Sequence, residues 1–145
     1  MTNNSEPNIF SGRPNLGAGN LGNILQRLNQ TIQRDQLIQT TVLDLRQFLQ
    51  TDRVLLYYFY SEWKGQVTFE SFSDAKFSIF GSTGPEACFT KEYAALYLAG
   101  RVRAIPDIET EPIDPCHRNF LRDLQVRANL AVPLSTGTKN ETLAS

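Results

Sequence analysis

Asp114, Pro115, Cys116 and His117 stand consecutively in the chain, and this order can present a nucleophilic sulfur. A carboxylate followed by proline is a helix start signal, because the carboxylate accepts from unpaired backbone N–H groups and proline fits the first helical position. Cys116 then falls in the first turn, where unpaired N–H groups make the local field positive and favour thiolate. Arg118 and Arg122, about a turn away, push the same way. Such a sulfur is suited to adding to an electrophilic carbon. The plainer reading is a small buried thiol, common for free cysteine and chemically inert. His117 points roughly 100° away around the helix, so no protease-like thiol–imidazole pair is set up. With a single histidine in the chain, hydrolytic nucleophilic catalysis is disfavoured, and the expectation is a protein that is not an enzyme. Two cysteines and one histidine also fall short of an ordinary zinc ligand set.

The second cysteine, Cys88, lies in EACF (86–89). The opening MTNNSEPNIFSGRPNLGAGN has neither the basic nor the apolar region of a secretory signal. A cytoplasmic location is therefore expected, with the cysteines as thiols and not as a disulfide. A chain of 145 residues has room for one domain. Its apolar share of 41% with nine Phe suffices for one core. The net charge of −1 gives no sequence-wide footprint for nucleic acid or an anionic membrane, and no apolar run approaches the ~20 residues that span a bilayer.

The elements that must position these residues follow from periodicity. Residues 1–20 are rich in Asn, Gly, Ser and Pro and are expected to be a disordered linker. Leu21, Ile24, Leu25, Leu28 and Ile32 share one helical face. A second helix is expected from Asp35 as its N-terminal residue, carrying Ile38, Val42, Leu45 and Leu49. These two helices can pair with those of a second copy or pack on the chain's own sheet. VLLYYFY (54–60) and QVTFESF (66–72) read as a hairpin across SEWKG (61–65). Residues 73–87 read as loop, with FSIF (77–80) a short strand. Thr90 begins a helix with Tyr93, Leu96 and Tyr97 that ends at Gly100. RVRAI (101–105) is a strand, the Asp114–Pro115 helix carries His117, Phe120, Leu121 and Leu124 on one face, and RANLAV (127–132) is the last strand. The domain expected is 21–134, with 135–145 a polar tail. The fold class is α+β, an antiparallel sheet flanked by helices.

PCHRNFLRDLQVRANLAVPL (115–134) resembles the pigment-attachment segment of cyanobacteriochrome GAF domains, the phytochrome-like bilin binders. That segment has Cys-His at a helix start, then a strand entry ending in Val-Pro. EYAALYLAGRVRAIPDIET (92–110) and RVLLYYFYSEWKGQVTFES (53–71), with Trp63 and Gly65, are similar to the family's upstream stretches. The likeness runs in order over residues 25–134.

The resemblance implies a GAF-like fold and a linear tetrapyrrole of the phycocyanobilin or phycoviolobilin type, attached by a thioether from Cys116. His117 is then a contact near the pyrrole nitrogens, with Glu86, Arg101 and Tyr93 as further contacts. Arg103 and Arg127 join Arg101 as candidates for the pigment's propionates, since Arg recognises carboxylates bidentately. EACF is similar to the Asp-X-Cys-Phe motif of the dual-cysteine branch, with Glu86 in place of Asp, so Cys88 is a candidate second thiol linkage. Light-driven isomerisation would feed a signalling output on another domain or protein, with a homodimer through the N-terminal helices. The family's domain continues beyond Val-Pro into a further strand and a closing helix, where this sequence has STGTKNETLAS. A sheet lacking that strand should expose unpaired backbone groups and apolar surface. The alternative readings are a GAF regulatory or dimerisation module without bilin, or a truncated fragment without function.

Overall fold

The computed structural model describes residues 18–61, 64–84, 88 and 91–134. It comprises two compact units, Met1–Leu37 and Ile38–Ser145. The described part of the first unit is the beginning of one helix, α1 (Ala18–Leu49), which continues into the second. α1 replaces the two helices expected, and it begins inside the segment assigned to a linker. The cause is local. No Gly or Pro lies between Asn23 and Leu49, and Thr31 Oγ1 donates back to the Arg27 carbonyl at 3.0 Å, a bond compatible with a continuing helix. Asp35 is not a cap, because it lies in the interior of α1; its carboxylate is 3.5 Å from Arg34 Nε.

The second unit builds on the hairpin of β1 (Arg53–Ser61) and β2 (Lys64–Phe72), paired antiparallel from Arg53 opposite Phe72 to Ser61 opposite Lys64, with register shifts at Leu56/Tyr57 and Phe59/Ser61. The β-branched and aromatic run drives this hairpin as predicted. At Gly65 a Cβ would collide with the Tyr58 carbonyl and the Tyr57 ring, so only glycine fits this approach. α1 meets the hairpin through buried Val42, through Arg46 Nε donating to Ser71 Oγ at 2.9 Å, and through Gln39 Nε2 donating to the Glu70 carbonyl at 3.1 Å.

FSIF forms no strand. Ala75–Phe77 is a 3-10 turn capped by Asp74, and Gly81 at φ +76° turns the chain so that Gly81 N donates to Val67 O and Val67 N to Ser82 O. A left-handed residue there suits glycine and ends any extended run. Glu70 secures the segment, accepting from Ile79 N at 2.9 Å and from Ser78 Oγ.

α2 (Lys91–Leu98) ends as predicted. Gly100 takes φ +91°, while Gly100 N donates to Tyr97 O and Arg101 N to Leu96 O, a glycine-closed helix end. β3 (Arg103–Ile105) pairs antiparallel with β4 (Asn129–Ala131), and α3 (Pro115–Asp123) lies between them in sequence. Ile105, Ile108, Ile113 and Leu121 form the buried cluster that packs α3 on this ladder, with Val126 against it. Among the described residues the strands form two separate antiparallel ladders, β1–β2 and β3–β4, where the sequence predicts one sheet. Leu130, Val132 and Leu134 remain exposed.

Candidate functional site

α3 delivers Cys116 and His117 as the sequence predicts. Asp114 Oδ1 accepts from Cys116 N at 2.8 Å, and Pro115 occupies the first turn. Leu121 holds the inner face of the helix in the core, which leaves Cys116 exposed and His117 half-buried. Cys116 is therefore not the buried residue of the plainer reading.

Cys88 meets Cys116. The two are joined as a disulfide, their Cα atoms 5.7 Å apart, which corrects the expectation of two thiols. Cys88 lies within the ordinary bridging range of the α3 start, and the chain has no third cysteine to compete. Tyr57 links Gly84 to the hairpin: its hydroxyl donates to the Gly65 carbonyl at 2.8 Å and accepts from Gly84 N at 2.8 Å. Glu86 and Trp63 lie outside the described residues, as does the side chain of Tyr93 in α2.

Burial pushes the His117 imidazole below its ordinary value of 6.5, and the Arg103 guanidinium adds to this, while Asp114 opposes. A neutral ring at physiological pH can donate from one nitrogen and accept at the other. Arg103, half-buried in β3, is therefore the candidate cation that acts on His117. Arg101 is half-buried between α2 and β3. Arg127, the third candidate for a ligand carboxylate, is already paired with Asp107 at 2.6 Å.

The arginines expected to bias the sulfur towards thiolate are committed elsewhere. Arg118 Nε donates to Ile108 O and its Nη2 to Glu111 O, both at 2.8 Å. Arg122 grips both carboxylate oxygens of Glu109. With Arg127 on Asp107, three guanidiniums staple residues 107–111 to α3 and its exit. Asp107 sits below the ordinary carboxylate value, first because it accepts from Glu109 N and then because of Arg127. Glu109 is lowered by Arg122, and Arg122 is raised by Glu109 in return. This staple was missed in the sequence. The available signal was Asp107 followed two residues later by a backbone donor, the composition of an Asx turn, seen here as Glu109 N to Asp107 Oδ1 at 2.9 Å.

Two features stand out around the start of α3. They are a paired set of sulfurs at a helix start, and a neutral imidazole beside a cation. Among the described residues no group of His, Cys, Asp and Glu is arranged to hold a metal, and no helix is long and apolar enough to cross a membrane.

Comparison with known proteins identifies the domain type. The GAF domain model matches residues 33–144. An uncharacterized protein of Picosynechococcus sp. strain PCC 7002 is 50% identical over 114 residues, 79% of this chain and 70% of that protein. A Synechocystis sp. strain PCC 6803 protein named as a methyl-accepting chemotaxis protein is 31% identical over 109 residues, 75% of this chain but 11% of that longer protein. Among solved structures, the phycoerythrobilin-bound GAF domain of a cyanobacterial phytochrome superposes with a TM-score of 0.69 at 26% identity, covering 86% of this chain and 76% of that one. The blue-light absorbing form of the Thermosynechococcus elongatus PixJ GAF domain gives 0.69 at 32% identity, covering 81% and 70%.

Proposed function

The chain belongs to the GAF domain family, and on that basis we propose that it is a photosensory, non-enzymatic module that holds a linear tetrapyrrole covalently through Cys116. The observation that carries the proposal is the meeting of Cys116 and Cys88 beside the half-buried His117. Cys116 in its thiol form supplies the attachment sulfur, exposed at the helix start where a reagent can reach it. Cys88, at the same point in space, supplies the second sulfur expected of a dual-cysteine domain. His117, kept neutral by burial and by Arg103, offers a hydrogen bond to the pyrrole nitrogens. Arg103 and Arg101 supply positive charge for the propionates. The donor set fits a bilin of the phycocyanobilin or phycoviolobilin type: a sulfur to bond, an uncharged imidazole to orient, and cations for two carboxylates. Such a pigment, when bound, supplies visible absorption and isomerisation about a double bond.

Output follows from the N-terminal helix. Leu21, Ile24, Leu25, Leu28 and Ile32 recur along one side of α1 and are 47–59% exposed, an apolar stripe suited to pairing with the same stripe of a second copy. A light-dependent shift in the domain's conformational population would pass through such a helix pair to a signalling protein or domain in the cytoplasm. The chemotaxis relative, in which the matching segment is a small part of a longer chain, supports a sensory place for the module.

The test is co-expression with a bilin-producing pathway, followed by reducing, denaturing electrophoresis with zinc-enhanced fluorescence. A fluorescent band at the protein's position is expected, lost in Cys116→Ala and retained in Cys88→Ala. Cys88→Ala should in turn remove a short-wavelength absorbing state. A colourless band from folded protein supplied with pigment would overturn the proposal.

A further inference from the structure

We infer that Cys88 and Cys116 form a reversible dithiol–disulfide switch, and that its oxidised form blocks ligand attachment by occupying the attachment sulfur. The thiol chemistry stands on the geometry alone; only the blocking step rests on the bilin reading above.

Three observations carry this. The sulfurs are bonded with their Cα atoms 5.7 Å apart, inside the range that needs no backbone rearrangement. The position of Cys116 is fixed by contacts independent of the sulfurs. Asp114 and the Ile105–Leu121 cluster hold α3. Reduction should therefore leave two thiols facing each other, poised to re-form the bond. Finally, Cys116 is exposed and Cys88 half-buried, so a soluble thiol reaches the bridge at Cys116. Disulfides of cytosolic proteins are usually transient, catalytic or redox-sensing and not permanent staples.

The exchange balances with a dithiol reductant. One thiolate of the dithiol attacks a sulfur of the bridge, the S–S bond breaks, and the other cysteine leaves as a thiolate that takes up a proton. The second thiol of the reductant then resolves the mixed disulfide. Two electrons and two protons pass to the protein, giving Cys88–SH and Cys116–SH, while the dithiol becomes its own disulfide. Oxidation reverses these steps, with glutathione disulfide as acceptor. One sulfur of Cys116 cannot be in a disulfide and a thioether at once, so the oxidised domain cannot take a ligand at that residue.

The experiment uses the full chain made without bilin and incubated with glutathione disulfide, then desalted. Intact mass is measured, followed by maleimide labelling in denaturant without reductant. The oxidised protein should be two hydrogens lighter than the reduced form, monomeric on a non-reducing gel, and unlabelled. After dithiol treatment it should take two labels. Cys88→Ala and Cys116→Ala should each gain one glutathione instead. Wild-type protein that gains glutathione, keeps two reactive thiols, or links into dimers overturns the switch. Phycocyanobilin is then offered to the oxidised sample and to the same sample after dithiol. At least a tenfold rise in zinc-fluorescent product on reduction is expected, and equal labelling of both overturns the blocking step. If neither attaches pigment, the bilin reading fails, whereas the mass and labelling results still judge the switch.

Discussion

Replacing Arg118 by Met should loosen the loop that seats α3 while keeping the aliphatic stem in place. Arg118 makes two charge-assisted bonds at 2.8 Å, to the carbonyls of Ile108 and Glu111. Bonds of this kind contribute about 1.5–3 kcal/mol each when a partner is left unpaired. Arg118 is only half-buried, so water regains part of that energy, and the net loss expected is about 2–3 kcal/mol. For a chain of 145 residues, between the sizes at which each kcal/mol shifts Tm by about 4–8 °C and by about 2–4 °C, this is a fall of roughly 5–15 °C. Arg118→Lys can restore one bond and should lose about half as much. Urea unfolding with an unchanged m-value measures the energy. Amide exchange locates it: Ile108 N, which donates to Arg127 O, and Ile113 N, which donates to Glu111 O, should lose protection before the β1–β2 hairpin does. A Met variant within about 0.5 kcal/mol of wild type, the range of ordinary surface substitutions, would refute the staple.

Two further outcomes follow from α3. Gln125 closes the helix at φ +58°, with Val126 N donating to Leu121 O and Gln125 N to Arg122 O. Gln125→Gly should therefore stabilise the domain by about 0.5–1 kcal/mol, and a lower urea midpoint would contradict this. His117 is lowered in the fold from 6.5, so the unfolded chain takes up its proton first as pH falls. Stability should hold above pH 7, decline as pH drops through about 6.5, and level off below the folded value. His117→Gln should flatten that stretch of the profile. The loss on further acidification, as Asp107 and Glu109 are protonated below their ordinary values of 3.8 and 4.5, should remain in that variant.

What could be read in the sequence was what is decided locally. Asp114–Pro115 caps α3 because the donor and acceptor are two residues apart, and Gly100 ends α2 because a left-handed residue is needed there whatever surrounds it. VLLYYFY forms a strand because its own side chains favour one. FSIF failed despite its composition, since Gly81 and the Glu70 carboxylate turn it back onto β2. Asp35 looked like a cap because Asp often is one, but nothing nearby stops the helix. The disulfide and the arginine staple were invisible for a different reason. Their partners lie 7 to 28 residues away in sequence, so their existence depends on a fold already formed. The sequence singled out both sulfurs, and their bond to each other was missed.

That relation bears on how a change at the site could reach α1. From Gly84 the contacts run through Tyr57 to the hairpin. In β2, Glu70 accepts from Ser78 and Ile79 with its side chain and from Gln39 of α1 with its carbonyl, while the next residue, Ser71, accepts from Arg46 of α1. Ser78 and Ile79 and the helix therefore both lean on Glu70. Contiguity alone couples nothing; coupling needs an element with two arrangements that both ends bias. The S–S bond supplies one, because closing it ties Cys88 to α3 and opening it removes that tie. Amide exchange of residues 39–46 should consequently differ between the oxidised and reduced forms, and the difference should shrink in Tyr57→Phe, which lacks the hydroxyl linking Gly84 to Gly65. Identical exchange in both redox forms would mean that the bond opens and closes without α1 registering it, and the route through β2 would then be a scaffold and not a path.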